Sequence, residues 1–268
     1  MSSTAIELFR LSQGHLNLLV ACPRKFQHTY LEKLNTPTNP TYEKSQTLGS
    51  QFHLLMQQQA MNLPIDGFLA VDSELQIWVK DFNKLAPEIL KTETNNQIFR
   101  ESEHYRTLQI QDYLITVIYD LLIAEQETAQ IIDWKTYAKS LNKDDLENNW
   151  QTRLYMYVLA ETSIFLPENI SMTYWFVNPQ NKLNKIQFNY NIEQHQKTEK
   201  TLQKLLNNLT NWLVAYQQNQ PFPQEPAYPK ACKKDCPYYV RCYNSENSSL
   251  EQSDKILPNL ATIEEIAI

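Results

Sequence analysis

The sequence predicts a mixed α/β fold, and three features of its texture carry that prediction. Helical spacing dominates residues 11–91, a block dense in Ile, Val, Thr and Tyr fills 97–137, and one more helix separates that block from two further strands. A long helix over about 191–218 follows, so the order is helices, three strands, helix, two strands, helix. With 42 % apolar and 11 % aromatic residues among 268, the chain can bury a real core as one large domain.

Leu11 to Leu34 reads as helical, with Ser12 as N-cap and an interruption at Pro23, where a second helix can begin. Residues 44–62 and about 74–91 are the next helices. The β-rich block is split by polar pairs at Gln109–Gln111 and Glu125–Glu127, which makes it three successive strands in a meander. Helical spacing returns over 144–163, with Trp150, Leu154, Tyr157 and Val158 on one side. The segments SMTYWFVNP and KIQFNYN are two more strands. The Pro-rich stretch PFPQEPAYP cannot continue a helix and leads into a cysteine cluster. Residues 1–243 are read as one domain, and 244–268 as a loosely held polar tail.

Composition excludes several classes. No apolar run approaches the ~20 residues of a membrane span, and MSSTAIELFR lacks the pattern of a secretory signal, so the expected compartment is the cytoplasm. There, four cysteines are metal ligands or reduced thiols rather than disulfides. The three glycines, Gly14, Gly49 and Gly67, form no Gly-rich phosphate loop, which argues against an ATPase or a dinucleotide enzyme. A net charge of −6 argues against a protein that coats nucleic acid by bulk charge, although phosphate contacts can be a local stripe.

The most informative segment is YLITVIYDLLIAEQETAQIIDWKTY. Asp120 closes one strand, and Asp133 and Lys135 close the next. Residues two apart on a strand share a face, so Ile131, Asp133 and Lys135 point together. If the two strands form a hairpin, Asp120 lies beside Asp133, and two carboxylates so close repel unless a cation such as Mg²⁺ or Mn²⁺ sits between them. Lys135 is then placed to orient or deprotonate water, or to neutralise phosphate charge. Asp and Lys also occur at strand ends as solvated edge residues; the apolar setting of VIYD and IIDWK is what favours a site, since charge there is costly unless paired. His53, four residues after Gly49 on one helix face, is a candidate third ligand or a partly buried structural histidine. Gln151 and Tyr155, four apart on the helix after Lys135, are candidate partners of phosphate or of the lysine, or ordinary residues of an amphipathic helix.

In that order, Gly49/His53, Asp120, Asp133-Trp134-Lys135 and Gln151/Tyr155 resemble the PD-(D/E)XK nuclease superfamily, in particular its RecB-like branch. That branch includes the nuclease domains of AddAB helicase–nucleases and CRISPR-adaptation exonucleases. It carries a G-x-x-x-H helix, a strand-ending aspartate, a D-x-K strand and a Q-x-x-x-Y helix. LSQGHLNLLVACPRKF is similar to the family's opening, so the resemblance spans residues 11–243. It implies a restriction-endonuclease-like core, a central mixed β-sheet flanked by helices, with the N- and C-termini clasped by a cysteine cluster. It also implies a metal held by His53, Asp120, Asp133 and the Trp134 carbonyl, and Lys135 acting on the hydrolytic water. Glu103 matches an upstream acidic position loosely, with Glu101 as its rival. The implied activity is a deoxyribonuclease, with an exonuclease lean, acting on single-stranded DNA ends in repair or recombination. A helicase partner would have to supply unwinding. The alternatives are a degenerate fold that binds nucleic acid or a helicase without cutting, and a CRISPR-adaptation enzyme.

Cys22 lies near the start, and Cys232, Cys236 and Cys242 near the end. Four thiolates suit a 4Fe–4S cluster or a zinc ion, and the resemblance tips the choice to iron–sulfur, with zinc the alternative. Buried reduced thiols are the plainer reading. Arg24, Lys25, Lys230, Lys233, Lys234 and Arg241 surround these cysteines as a candidate phosphate patch or a solvated charged surface. Tyr238, Tyr239 and Tyr243 would stack bases or pack about the cluster. Two positions depart from the family pattern: Val117 stands where glycine is usual, and the C-x₃-C-x₅-C spacing is one residue longer in its first gap.

Overall fold

The computed structural model describes residues 8–34, 40–69, 72–85, 97–136, 142–177, 184–224 and 236–243. The proposed tail, 244–268, lies outside them, as do Cys232 and Lys230, Lys233 and Lys234.

A six-stranded mixed sheet forms the centre. The predicted meander is present as β2 (Gln97–Ile110), β3 (Tyr113–Glu125) and β4 (Ala129–Lys135), paired antiparallel in succession. A two-residue connection with Gln111 in the left-handed region (φ 54°) joins β2 to β3. β5 (Ile170–Phe176) runs parallel to β4, and β6 (Asn184–Asn189) closes that edge antiparallel to β5. A strand not anticipated, β1 (Phe9–Leu11), pairs parallel with the first residues of β3, Tyr113 to Ile115. Three residues are too few to show an alternation, so this strand has no legible period.

Helices cover both faces. On one side lie α1 (Gln13–Ala21), α2 (Pro23–Phe26) and the π turn Gln27–Leu31 that continues it, then α6 (Lys143–Asn148), α7 (Trp150–Glu161) and α8 (Ile192–Gln217). On the other lie α3 (Pro40–Ala60), the short α4 (Asp66–Leu69) and α5 (Ser73–Leu85). Ser12 caps α1 in a box with His15, and Pro23 opens α2 at a position where its missing N–H costs nothing. The helix expected over 144–163 is two helices, because the Asn149 side chain accepts the Gln151 N–H and starts a new one.

The two faces hold two cores. Leu16, Phe26, Ile115, Tyr119, Ile131, Leu154, Val158, Tyr174 and Leu206 belong to the first; Phe52, Leu55, Val79, Phe82, Leu121, Ile132, Trp134 and Trp175 belong to the second. Alternation along β4 therefore serves both: Ile132 and Trp134 face α3 and α5, while Ile131 shares the other face with the first core. Val117 is buried in the first core, so its side chain fills packing space and does not reach a substrate surface. No helix of the described residues is long and apolar enough to cross a membrane.

Candidate active site

The β3–β4 ladder ends at the pair Leu121–Ile132. One step beyond, the backbone gives way to side chains: the Trp134 N–H donates to Asp120 Oδ2 at 2.7 Å. A backbone donor that would otherwise be orphaned where the strands part thus fixes the Asp120 carboxylate. Asp120 Oδ1 lies 3.3 Å from His53 Nδ1 on α3. Glu103 on β2 has a left-handed backbone (φ 52°), rare for a residue with a Cβ, inside a ladder that pairs Ser102 with Leu121 and His104 with Tyr119 on either side of it. Single ligand atoms of His53, Glu103 and Asp120 all lie within 4.8 Å of one another, and this is the one such group among the described residues.

Electrostatics makes the group expectant of a cation. Burial raises the Glu103 carboxyl above its ordinary range, the Asp120 charge raises it further, and His53 opposes. Burial pulls the His53 pKa down, but the hydrogen bond and charge of Asp120, with the charge of Asp133, outweigh it and the net shift is upward. The two carboxylates are the oxygen donors that suit Mg²⁺ or Mn²⁺, and the imidazole tilts the set toward a transition metal over Mg²⁺.

Next to it stands a buried charge network. Asp133 is 2 % exposed, and burial raises its carboxyl pKa despite Lys135 beside it. Lys135 Nζ lies 2.6 Å from Asp133 Oδ2 and donates to Gln151 Oε1 at 2.8 Å. Gln151 Nε2 donates to Asp133 Oδ1 at 2.5 Å, so one amide binds both members of the pair. Lys135 also sits over the Tyr174 ring, 5.2 Å from its centre. Tyr155 is buried behind this network; its hydroxyl bonds to Gln151, burial raises its pKa, and Asp133 and Asp120 raise it further. Its ring meets Tyr119 edge-on at 5.2 Å, and its carbonyl accepts the Tyr119 hydroxyl at 3.0 Å.

His53, Asp120, Asp133, Lys135, Gln151 and Tyr155 are therefore gathered by α3, β3, β4 and α7 into one place. Gly49 makes that possible in a way spacing did not reveal. A Cβ there would come within 2.7 Å of Thr136 Oγ1, so the close approach is to the side chain that follows Lys135. Glu103 is the residue sequence reasoning left undecided against Glu101. Its position opposite Asp120 is a matter of strand register, whereas Glu101 bonds His104 at 2.7 Å.

The cysteine end is described in part. Cys22 Sγ caps α2 by accepting the Lys25 N–H at 3.4 Å, and Cys236 and Cys242 flank α9 (Tyr239–Tyr243) or lie in it. The chain ends are joined: the Arg24 N–H bonds the Pro223 carbonyl at 3.1 Å, Arg24 Nε the Phe222 carbonyl at 2.6 Å, and the Tyr238 hydroxyl donates to the Leu34 carbonyl at 2.9 Å. Tyr238 is buried in this junction and so packs the clasp, and Arg24 is engaged by the backbone instead of standing free for phosphate. Arg241 is exposed.

The chain matches the family model of the PD-(D/E)XK nuclease superfamily over residues 10–243. Among solved structures it is similar to one called "Putative exonuclease", from Eubacterium rectale, at 9 % identity with a TM-score of 0.51, covering 88 % of this chain and 93 % of that one. It is also similar to SSO0001, at 15 % identity with a TM-score of 0.40, covering 87 % and 85 % of the two chains. No curated protein matches it.

Proposed function

This chain belongs to the PD-(D/E)XK nuclease superfamily, and we propose that it is an active deoxyribonuclease of the RecB-like branch, trimming single-stranded DNA ends in repair or recombination. Membership makes it a nuclease that depends on divalent metal and hydrolyses phosphodiester bonds; the substrate, the exonuclease mode and the roles below are our reading. One observation carries it. A His–Glu–Asp ligand group and a buried Asp–Lys–Gln network meet at the point where β3 and β4 part. A fold kept only as a scaffold has no use for that concentration of buried charge.

In this reading His53, Glu103, Asp120 and Asp133, with the Trp134 carbonyl, hold Mg²⁺ or Mn²⁺, which when bound polarises a phosphate oxygen and acidifies water. Lys135 takes a proton from the attacking water or, protonated, offsets charge building on the phosphate. Gln151 keeps the lysine and Asp133 in register, and Tyr155 positions Gln151 from behind. A helicase partner would supply the single strand. The cysteine clasp enters as a second metal centre; a 4Fe–4S cluster is what the resemblance implies, zinc is the alternative, and the absorption spectrum and metal content of the purified protein separate them.

The test uses end-labelled single- and double-stranded DNA with Mg²⁺ or Mn²⁺, and Asp133→Ala and Lys135→Ala proteins alongside. Metal-dependent cutting lost in both variants supports the reading, and a ladder that shortens from the label shows action from ends. Wild-type protein that binds DNA in both metals and leaves it intact would replace it with a non-cutting binder.

A further inference from the structure

The clasp contains a residue that neither spacing nor resemblance singled out. His28 is 4 % exposed and sits in the π turn Gln27–Leu31, a rare winding that is frequent at functional sites. Its Nε2 lies 3.7 Å from Cys242 Sγ, 214 residues away in the chain. Its Nδ1 lies 2.7 Å from Glu32 Oε2. Glu32 also takes Gln27 Nε2 at 2.6 Å and faces Arg241 at 3.6 Å, so it is an acceptor ringed by donors, and the proton of this contact belongs on His28 Nδ1. That leaves the Nε2 lone pair directed at the sulfur. A carboxylate on one imidazole nitrogen with the other aimed at a ligand is how metal-binding histidines are oriented.

We propose that His28 is a metal ligand, and that His28 Nε2 and Cys242 Sγ form the preset edge of a mixed nitrogen–sulfur site for a zinc-type ion, completed by further thiolates of the clasp. Geometry supports one ion. With zinc–nitrogen and zinc–sulfur distances of about 2.0 and 2.3 Å, two ligands of one tetrahedral ion stand about 3.5 Å apart, near the 3.7 Å seen. Ligands bound to different irons of a cluster stand further from one another. The clasp's other described thiols, Cys22 and Cys236, are not gathered around this pair, so binding would draw them in and couple metal to the joining of the chain ends. The inference rests on the reading of the clasp as a metal centre and identifies one ligand and the ion.

The test loads full-length, metal-free, reduced protein with Co²⁺ and with Zn²⁺. Thiolate-to-cobalt charge-transfer absorption reports the clasp, because the acidic site has no sulfur. The wild type is expected to show that band with the d–d envelope of three sulfurs and one nitrogen. His28→Ala should weaken sulfur-bound Co²⁺ at least about 10-fold, and Glu32→Gln should weaken it about 10- to 100-fold. His28→Cys, which keeps a ligand and so guards against a folding artefact, should bind with bands shifted to longer wavelength. Unchanged affinity and spectrum in both His28 variants would overturn the assignment while leaving the clasp a metal centre. Brown protein as isolated, carrying iron and sulfide with a spectrum indifferent to His28→Ala, would do the same in favour of a cluster. No sulfur-bound metal in the wild type, with Cys242→Ala indistinguishable from it, would remove the clasp reading itself.

Discussion

His53, Glu103 and Asp120 come from elements that backbone register and core packing already hold, whereas His28 and Cys242 meet only because the two ends of the chain are folded together. The acidic site is placed where a ladder stops: Asp120 takes the Trp134 N–H because β3 and β4 part there. The clasp has no such scaffold. It depends on Phe222, Pro223 and Tyr238 docking on α2 and the π turn. A site built on register stores repulsion without losing its shape; one built on chain ends gains its shape and its stability from the same contacts. Substitutions in the first should therefore change chemistry more than folding, and in the second folding more than chemistry.

The largest effect should follow Lys135→Ala. Cleavage should fall about 10²- to 10⁴-fold, as for loss of a proton-transferring group, with the melting temperature nearly unchanged, because burial already raises the Asp133 carboxyl and it can take up a proton once Lys135 is gone. A large loss of melting temperature in that variant would break the contrast, because it would make Lys135 a structural counter-ion of buried Asp133. Gln151→Ala should cost less, about 10- to 100-fold in rate, since it removes the shared orientation of Asp133 and Lys135 and no reacting group. Steady-state assays at saturating Mg²⁺ read both.

Cys242→Ala should act the other way. With zinc at about 100 times its dissociation constant, losing the site removes about 2–3 kcal/mol, or about 5–10 °C for a chain this size, measured by calorimetry with and without chelator. Cutting per folded molecule should hold. Asp120→Asn sharpens the contrast further: in chelator it should melt higher than wild type by about 0.5–2 kcal/mol, because the Glu103–Asp120 repulsion is relieved while Asn still accepts the Trp134 N–H, and the stabilisation by Mg²⁺ should vanish. A lower melting temperature in chelator would show that the carboxylates are not strained against each other. The smallest effect is expected of Gly49→Ala, about 1 kcal/mol, set by whether Thr136 Oγ1 can turn away from the new methyl group.

Much of the site was legible because its signals are local. Asp133 and Lys135 share a face by strand alternation, Gln151 and Tyr155 by helical spacing, and the meander by its polar breaks. Glu103 was half legible: two glutamates two residues apart offer the same face, and only the left-handed turn at 103 and its place opposite Asp120 separate it from Glu101. The need for glycine at 49 was not legible, because it comes from the Thr136 side chain, 87 residues away in the chain. The sequence also pointed Tyr238 and Arg24 toward nucleic acid or the clasp without choosing; burial places Tyr238 in the clasp, and a bond to the Phe222 carbonyl places Arg24 there.

By itself, then, the sequence determined the order of the elements, the meander, and the identity of the Asp120, Asp133 and Lys135 constellation, because each follows from periodicities of two or 3.6 residues along a short stretch. Tertiary structure decided which carboxylate completes the ligand group, that β1 joins the sheet, and that His28 faces Cys242. Those facts depend on register between strands and on contacts between residues far apart in the chain. No local period encodes them; they are set by the strand register and by the packing of the two cores, one on each face of the sheet.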